Sequence, residues 1–235
     1  MNVKDSVVLI TGANRGLGLE LAKAVLAAGA RKVYAAVRDP ATVTLPGLVA
    51  LKLDVTSAAD IAATVAAAPD VTILINNAGI SRGGSVSAAD GVEKVRAELE
   101  TNFFAPMALS NAFAPVLGRN GGGAIVNVLS VLSWLSLEFS GTYSISKSAA
   151  WAWTNGLRND LRKQNTQVLG AHMGLMDTDM TKGMDAPKTP PANIAKAIIE
   201  ALQAGEEEVL TDDTSRQVKQ GLTAPRPVYL GAPRA

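Results

Sequence analysis

The sequence predicts a doubly wound α/β fold, a parallel β-sheet flanked by helices. Three observations carry that expectation. Short apolar runs alternate with longer helix-like stretches along the chain. The runs are rich in Val, Ile and Leu with little polar alternation, as in strands buried on both faces. A glycine-rich turn follows the first run directly and opens the first helix. Val7–Ile10 is the first predicted strand and Leu17–Ala28 the first helix. Strands at Val33–Val37 and Val49–Leu53 precede a helix at Ala58–Ala67. A strand at Val71–Ile75 leads into one long helix, Gly91–Leu117. Strand Ala124–Leu129, helix Thr142–Lys163 and strand Val168–His172 follow. Pro191–Gln203 has proline in its first turn and stops before Gly205, as a capped helix does. Glu208–Leu210 reads as a short last strand. No repeat or linker-like composition shift divides the chain, so one domain is expected over residues 1–235. Within it, residues from about 173 to 190 form a substrate loop. The tail from about 222 onward, with Pro225, Pro227 and Pro233, reads as irregular and is placed over a neighbouring subunit.

The 235 residues suffice for one large α/β domain. The chain is 48% hydrophobic and 18% charged, which excludes disorder. Its 22 basic and 21 acidic side chains leave a net charge of +1, so nothing argues for nucleic acid or an anionic membrane as partner. With no cysteine, disulfides, thiolate metal sites and cysteine nucleophiles are out. A single histidine, His172, rules out a multi-histidine metal site, and it reads as a packing residue at a strand end. The polar start, Met1 to Ser6, lacks a signal-peptide pattern, and no apolar run reaches membrane-spanning length. A soluble cytoplasmic protein is expected.

The turn Thr11-Gly12-Ala13-Asn14-Arg15-Gly16-Leu17-Gly18 lets a pyrophosphate approach the helix N-terminus. Its glycine spacing is G-x-x-x-G-x-G. The end of the second strand selects between nicotinamide cofactors, because an acidic residue there grips the ribose hydroxyls of NAD. Val37 holds that position, and Arg38 follows. Arg15 and Arg38 bracket a 2′-phosphate, a dianion suited to planar guanidinium groups, so NADP(H) is favoured. Asp39 is the counter-argument, as the acidic alternative. Asp54-Val55 ends the third strand, where an adenine ring rests. Asn76-Asn77-Ala78-Gly79 ends the fourth and lines the cofactor crevice, with structural and direct roles for Asn76 both open.

The most informative segment runs from Ser130 to Tyr143-Ser144-Ile145-Ser146-Lys147. On a helix, Tyr143 and Lys147 share one face. A tyrosine has an ordinary pKa of about 10, and a neighbouring ammonium favours the phenolate. A downward shift of about 3 units takes roughly 4 kcal/mol and would poise Tyr143 for proton exchange with an alcohol or ketone oxygen.

Together these pieces resemble the short-chain dehydrogenase/reductase (SDR) family, of the carbonyl reductase type, from about Val7 to Met180. The Thr-Gly-x-x-x-Gly-x-Gly loop, the Asn-Asn-Ala-Gly segment and the Tyr-x-x-x-Lys pair stand in the family's order. The resemblance implies a Rossmann fold, with Tyr143 as catalytic acid/base and Lys147 as its partner. It makes Ser130 the residue that holds the substrate oxygen, with Ser133 as fallback on proximity. Asn102 matches the asparagine that anchors a water relay to the lysine. After the sixth strand the family has Pro-Gly, whereas this chain reads Met173-Gly174, and Thr178 stands where the family threonine contacts the cofactor.

The implied reaction is NADPH-dependent reduction of a ketone or aldehyde to an alcohol, reversible as an alcohol dehydrogenase. A non-catalytic NADP-binding regulator and a pathway-specific ketoacyl or quinone reductase are the alternatives. Two apolar segments are expected to wall the pocket. One spans residues 132–139 with Leu132, Trp134, Leu135, Leu137 and Phe139. The other carries Met173, Met176, Met180 and Met184. They suit a small to medium apolar or aryl ketone. Trp151 and Trp153 cannot share one helix face, so one is expected inward and the other outward at a subunit contact. A homotetramer is expected from the family resemblance, with a dimer as the smaller option.

Overall fold

The computed structural model describes residues 1–231; Pro233 and the end of the expected tail lie outside the described residues. Among the described residues seven strands form one parallel sheet: β1 (Val7–Thr11), β2 (Lys32–Val37), β3 (Leu48–Lys52), β4 (Ile73–Asn76), β5 (Ala124–Val128), β6 (Gln167–His172) and β7 (Glu208–Leu210). Their spatial order is β3-β2-β1-β4-β5-β6-β7. Order reverses between β1 and β4, and a crevice opens there at the carboxyl ends of the strands.

Alternation within β1 shows how the two faces are filled. Val8 and Ile10 join a core layer with Leu21 and Val25 of α1 (Gly16–Ala27) and Ile194 and Ile198 of α6 (Pro191–Ala204). Val7 and Leu9 join the opposite layer. It includes Ile61 of α2 (Ala58–Ala67), Phe113 of α4 (Ala105–Arg119) and Leu157 of α5 (Gly141–Leu161). Both β1 faces are fully buried, which explains the unbroken apolar run.

The stretch expected as one helix over Gly91–Leu117 is interrupted. Helix α3 (Gly91–Leu99) passes through one wider turn, Glu100–Phe104, before α4 begins. The Ala105 N–H reaches back five residues to the Glu100 carbonyl. Pro106 lies four residues beyond Asn102 and has no N–H to give to the Asn102 carbonyl.

A further helix, α7 (Asp213–Gly221), was not anticipated. Asp212 caps it by accepting from the Ser215 N–H at 2.7 Å, and the Ser215 hydroxyl closes the reciprocal contact. The tail beyond it is largely irregular and folds back on α7. A Cβ on Gly221 would lie 2.3 Å from Val228 Cγ1. Among the described residues no helix is long and apolar enough to cross a membrane.

Trp151 and Trp153 are both half-buried, which corrects the expectation of one outward-facing tryptophan. Trp153 packs against the core layer behind α5, and Trp151 meets the edge of Trp134 with ring centres 6.5 Å apart.

Candidate active site

The glycine turn leaves β1 at the point where strand order reverses. Gly12 and Gly16 adopt φ of +69° and +53°, a left-handed conformation that costs glycine little. Gly18 serves close packing instead, since a Cβ there would sit 2.1 Å from the Gly12 carbonyl oxygen. No side chain caps the N-terminus of α1, so its first N–H groups face the crevice between β1 and β4. Leu17 packs its side chain in the core, so only its backbone is available to a ligand. Thr178 stands across the loop, with its methyl 3.6 Å from where a Gly16 Cβ would lie. This glycine cradle fits a dinucleotide pyrophosphate.

The far wall is built from the end of β4. Asn77 Nδ2 donates to the Thr11 carbonyl at 2.8 Å, and the Asn77 and Ala78 N–H groups donate to Thr11 Oγ1. Asn76 faces the interior, donating to Ser110 Oγ and to Asn127 Oδ1, which makes it structural. Gly79 lies close under Asn102 Oδ1, 3.1 Å from where its Cβ would stand.

At the adenosine end, Asn14 Nδ2 donates to Thr42 Oγ1 at 3.0 Å, fastening the loop to the turn after β2. The Asp39 carboxylate accepts from the Ala41 N–H and so caps that turn. Arg38 is exposed. Arg15 pairs with Asp179 at 2.8 Å, but both side chains are mostly in water, so the pair is weak and exchangeable. Asp54 accepts from the Thr56 N–H and hydroxyl; the backbone bond is the main cause holding its carboxyl below the usual range. Val55 packs partly against the core beside it.

Tyr143 and Lys147 lie one turn apart on α5, and Lys147 ties that helix to the end of β5, two residues before Ser130. Ser130 follows β5 in extended conformation, and its Oγ accepts from the Leu132 N–H at 3.1 Å, capping the turn Val131–Ser133. One residue after Lys147, Ser148 Oγ donates to the Ser133 carbonyl at 3.0 Å and lays that turn against α5. Lys147 is 6% exposed and donates to the Val128 carbonyl at 2.8 Å. Its ammonium lies 5.6 Å from the centre of the Tyr143 ring. Burial pulls Lys147 down to about 8. Burial, helped by the nearby Glu98 carboxylate, pushes the Tyr143 phenol up. The lowering expected from the ammonium is not found: both causes favour the protonated phenol, the proton-donating form.

Asn102 occupies the wide turn between α3 and α4 and is 3% exposed. Its amide grips Ile80 twice, accepting from the N–H and donating to the carbonyl, both at 2.9 Å. It also donates to Ser146 Oγ, whose hydroxyl donates to the Tyr143 carbonyl at 2.7 Å. Its side chain thus clamps the β4 exit to the helix of Tyr143.

Glu98 went unnoticed in the sequence. It is fully buried, accepts from the Arg82 N–H at 2.7 Å through Oε1, and leaves Oε2 without a hydrogen-bond partner among the described residues. Beside it a cavity of about 400 Å³ is lined by Ile80, Ser81, Arg82 and Lys94.

Of the expected pocket walls, Leu132, Trp134 and Met176 are half-buried, whereas Met180 and Met184 are exposed. Met173 corrects the expectation. It is 2% exposed and belongs to the core layer containing Ile194 and Ala195, because its backbone continues β6 by accepting from the Val131 N–H. The turn lacking the family proline is fixed otherwise: the Gly174 N–H donates to the buried Asp212 carboxylate at 2.8 Å.

The family profile for short chain dehydrogenase matches residues 6–189. A crystal structure of a short chain dehydrogenase from Burkholderia cenocepacia, in complex with NADP, is 38% identical. It superposes with a TM-score of 0.92 over 96% of each chain. Dehydrogenase/reductase SDR family member 7B of Bos taurus is 32% identical over 90% of this chain and 74% of its own. Ketoacyl reductase HetN of Nostoc is 29% identical over 87% and 78%. Fold, crevice and sequence agree: the chain belongs to the short-chain dehydrogenase/reductase family and is an SDR oxidoreductase.

Proposed function

We propose that the chain is an NADP(H)-dependent carbonyl reductase that converts ketones or aldehydes to alcohols. The observation that carries this reading is that Lys147, with its ammonium near the Tyr143 ring, reaches the Val128 carbonyl two residues before Ser130, in the same sheet whose β1 opens on the glycine cradle. Gly12, Gly16, Gly18, Asn77 and Thr178 would hold the pyrophosphate and nicotinamide halves, and Arg15 and Arg38 the 2′-phosphate. The hydride comes from NADPH when it is bound, chemistry that is the cofactor's own. Ser130 Oγ–H orients the carbonyl oxygen. Tyr143 gives that oxygen its proton as the carbonyl carbon becomes an alcohol carbon. Lys147 stabilises the phenolate left behind and so favours the transfer. Half-buried Leu132, Trp134 and Met176 support a small to medium apolar or aryl ketone. Exposed Phe104 and Ile145, near the start of α4 and on α5, support assembly through those helices, and we infer a homotetramer.

The test follows oxidation of NADPH, and separately NADH, with aryl and aliphatic ketones, acyl thioesters and quinones. Ketone-dependent turnover preferring NADPH is expected. Tight cofactor binding with no turnover on any carbonyl would leave a binding protein instead. Replacing Arg38 with Ala is expected to raise KM for NADPH by about tenfold and leave NADH nearly unchanged, the size of one charge-assisted hydrogen bond. Equal loss with both cofactors would remove Arg38 from the phosphate.

Reduction should also slow as pH rises through about 8, where Lys147 loses its proton. A profile flat from pH 7 to 9.5 would take the Lys147 charge out of the mechanism.

A further inference from the structure

The peptide group between Ser130 and Val131 is held at both ends by the end of β6. The Val131 N–H donates to the Met173 carbonyl at 3.0 Å. The Ser130 carbonyl accepts from the Ser133 N–H at 3.0 Å and meets His172 Nδ1 at 3.1 Å. A carbonyl can only accept, so Nδ1 carries the proton. His172 is fully buried, and burial pulls it down to about 4, so the ring is neutral near pH 7.

The same imidazole stacks on Trp134, with ring centres 3.9 Å apart and planes tilted by 19°. Lys219 of α7 places its ammonium over the indole, 4.7 Å from its centre. Glu208 of β7 holds that ammonium at 2.9 Å. One side chain therefore touches both the backbone of the candidate catalytic serine and an aromatic wall of the pocket. Packing alone accounts for the stack, but not for a buried N–H spent on the Ser130 carbonyl.

We propose that His172 is a positioning residue for the reductase reaction. Its Nδ1–H fixes the Ser130 peptide and thereby the direction of Oγ, while its ring fixes the plane of Trp134. This inference rests on the carbonyl reductase reading, and absence of ketone turnover in the unaltered chain would overturn both.

The test is a double-mutant cycle with Ser130→Ala, measured with a ketone the unaltered chain reduces. His172→Phe keeps a stacking ring and loses the donor. It is expected to lower kcat about tenfold when Ser130 is present, the scale of one hydrogen bond. In the Ser130→Ala background the same change should cost less than about twofold, because the group it positions is gone. His172→Asn places an amide N–H near the former Nδ1. It should restore kcat to within about threefold while raising KM, since the stack is lost. NADPH affinity should stay unchanged throughout. Equal losses in both backgrounds, or no loss from His172→Phe, would overturn the proposal. If His172→Phe does not fold, His172→Gln completes the cycle, because its amide mimics Nε2 and leaves the Ser130 carbonyl unserved.

Discussion

Replacing Tyr143 with Phe is expected to cut ketone reduction by about a thousandfold while NADPH affinity stays within about twofold, in line with the usual worth of a positioned proton donor. The ring remains to fill its place on α5, and only the hydroxyl is lost. That hydroxyl is the one group at the site held as a protonated acid by its surroundings, through burial and the Glu98 carboxylate. Ser130 is a poor substitute donor, because an aliphatic hydroxyl is a far weaker acid than a phenol. Steady-state kinetics and a cofactor titration on the same preparation check both halves. Retention of a tenth or more of the activity would move the acid role away from Tyr143.

Gly18→Ala should be nearly as damaging, for a different reason. The added methyl would meet the Gly12 carbonyl oxygen at 2.1 Å, the Gly12 carbonyl carbon at 2.8 Å and Asn77 Nδ2 at 2.6 Å. Two of these are backbone atoms, which have no rotamer to move into. The turn must open or α1 must shift off β1, at about 3 kcal/mol for an overpacked site. Loss of detectable NADPH binding is expected, with a lower denaturation midpoint. Gly156→Ala is the control, since its Cβ would meet nothing within 4 Å and alanine favours a helix. It should leave binding intact and stability equal or up to about 1 kcal/mol higher. Normal cofactor binding by Gly18→Ala would show that the turn is looser than its contacts imply.

Much of this architecture was legible along the chain, and the exceptions have a common cause. Strands β1, β2, β4, β5 and β6 could be read because burial on both faces leaves mostly Val, Ile, Leu and Ala in them, whereas β3, although apolar in composition, is half-buried to exposed. Tyr143 and Lys147 could be paired because one turn of helix separates them. The glycine turn could be placed because it directly follows a strand. What escaped depends on contacts between distant segments. Nothing near His172 announces that its ring lies on Trp134, or that its Nδ1 meets the Ser130 carbonyl. Met173 lies past the strand end that the apolar run marks, where a pocket wall is expected, yet its backbone extends the strand and carries the side chain into the core. Helix α7 carries a single large apolar residue, Val218, and so offers no apolar run to read; the Asp212 to Ser215 capping pair is its usable sign. The break at Asn102 was missed because apolar residues continue across it, although Pro106 marked it.

That break sets the rotational phase of everything after it. Up to and into it, Gly91, Lys94, Glu98 and Asn102 form one stripe that meets Val86, Gly84, Arg82 and Ile80 in reverse order, like the teeth of a zip. After it, Leu109, Phe113, Val116 and Leu117 form the stripe pressed on the sheet. Each residue of an α-helix turns the next by about 100°, so one residue too many in a turn swings the second stripe by that angle relative to the first. The extra residue is thus a gear offset: it lets a single rod of chain face the segment from Ile80 to Val86 with its first half and the hydrophobic core with its second.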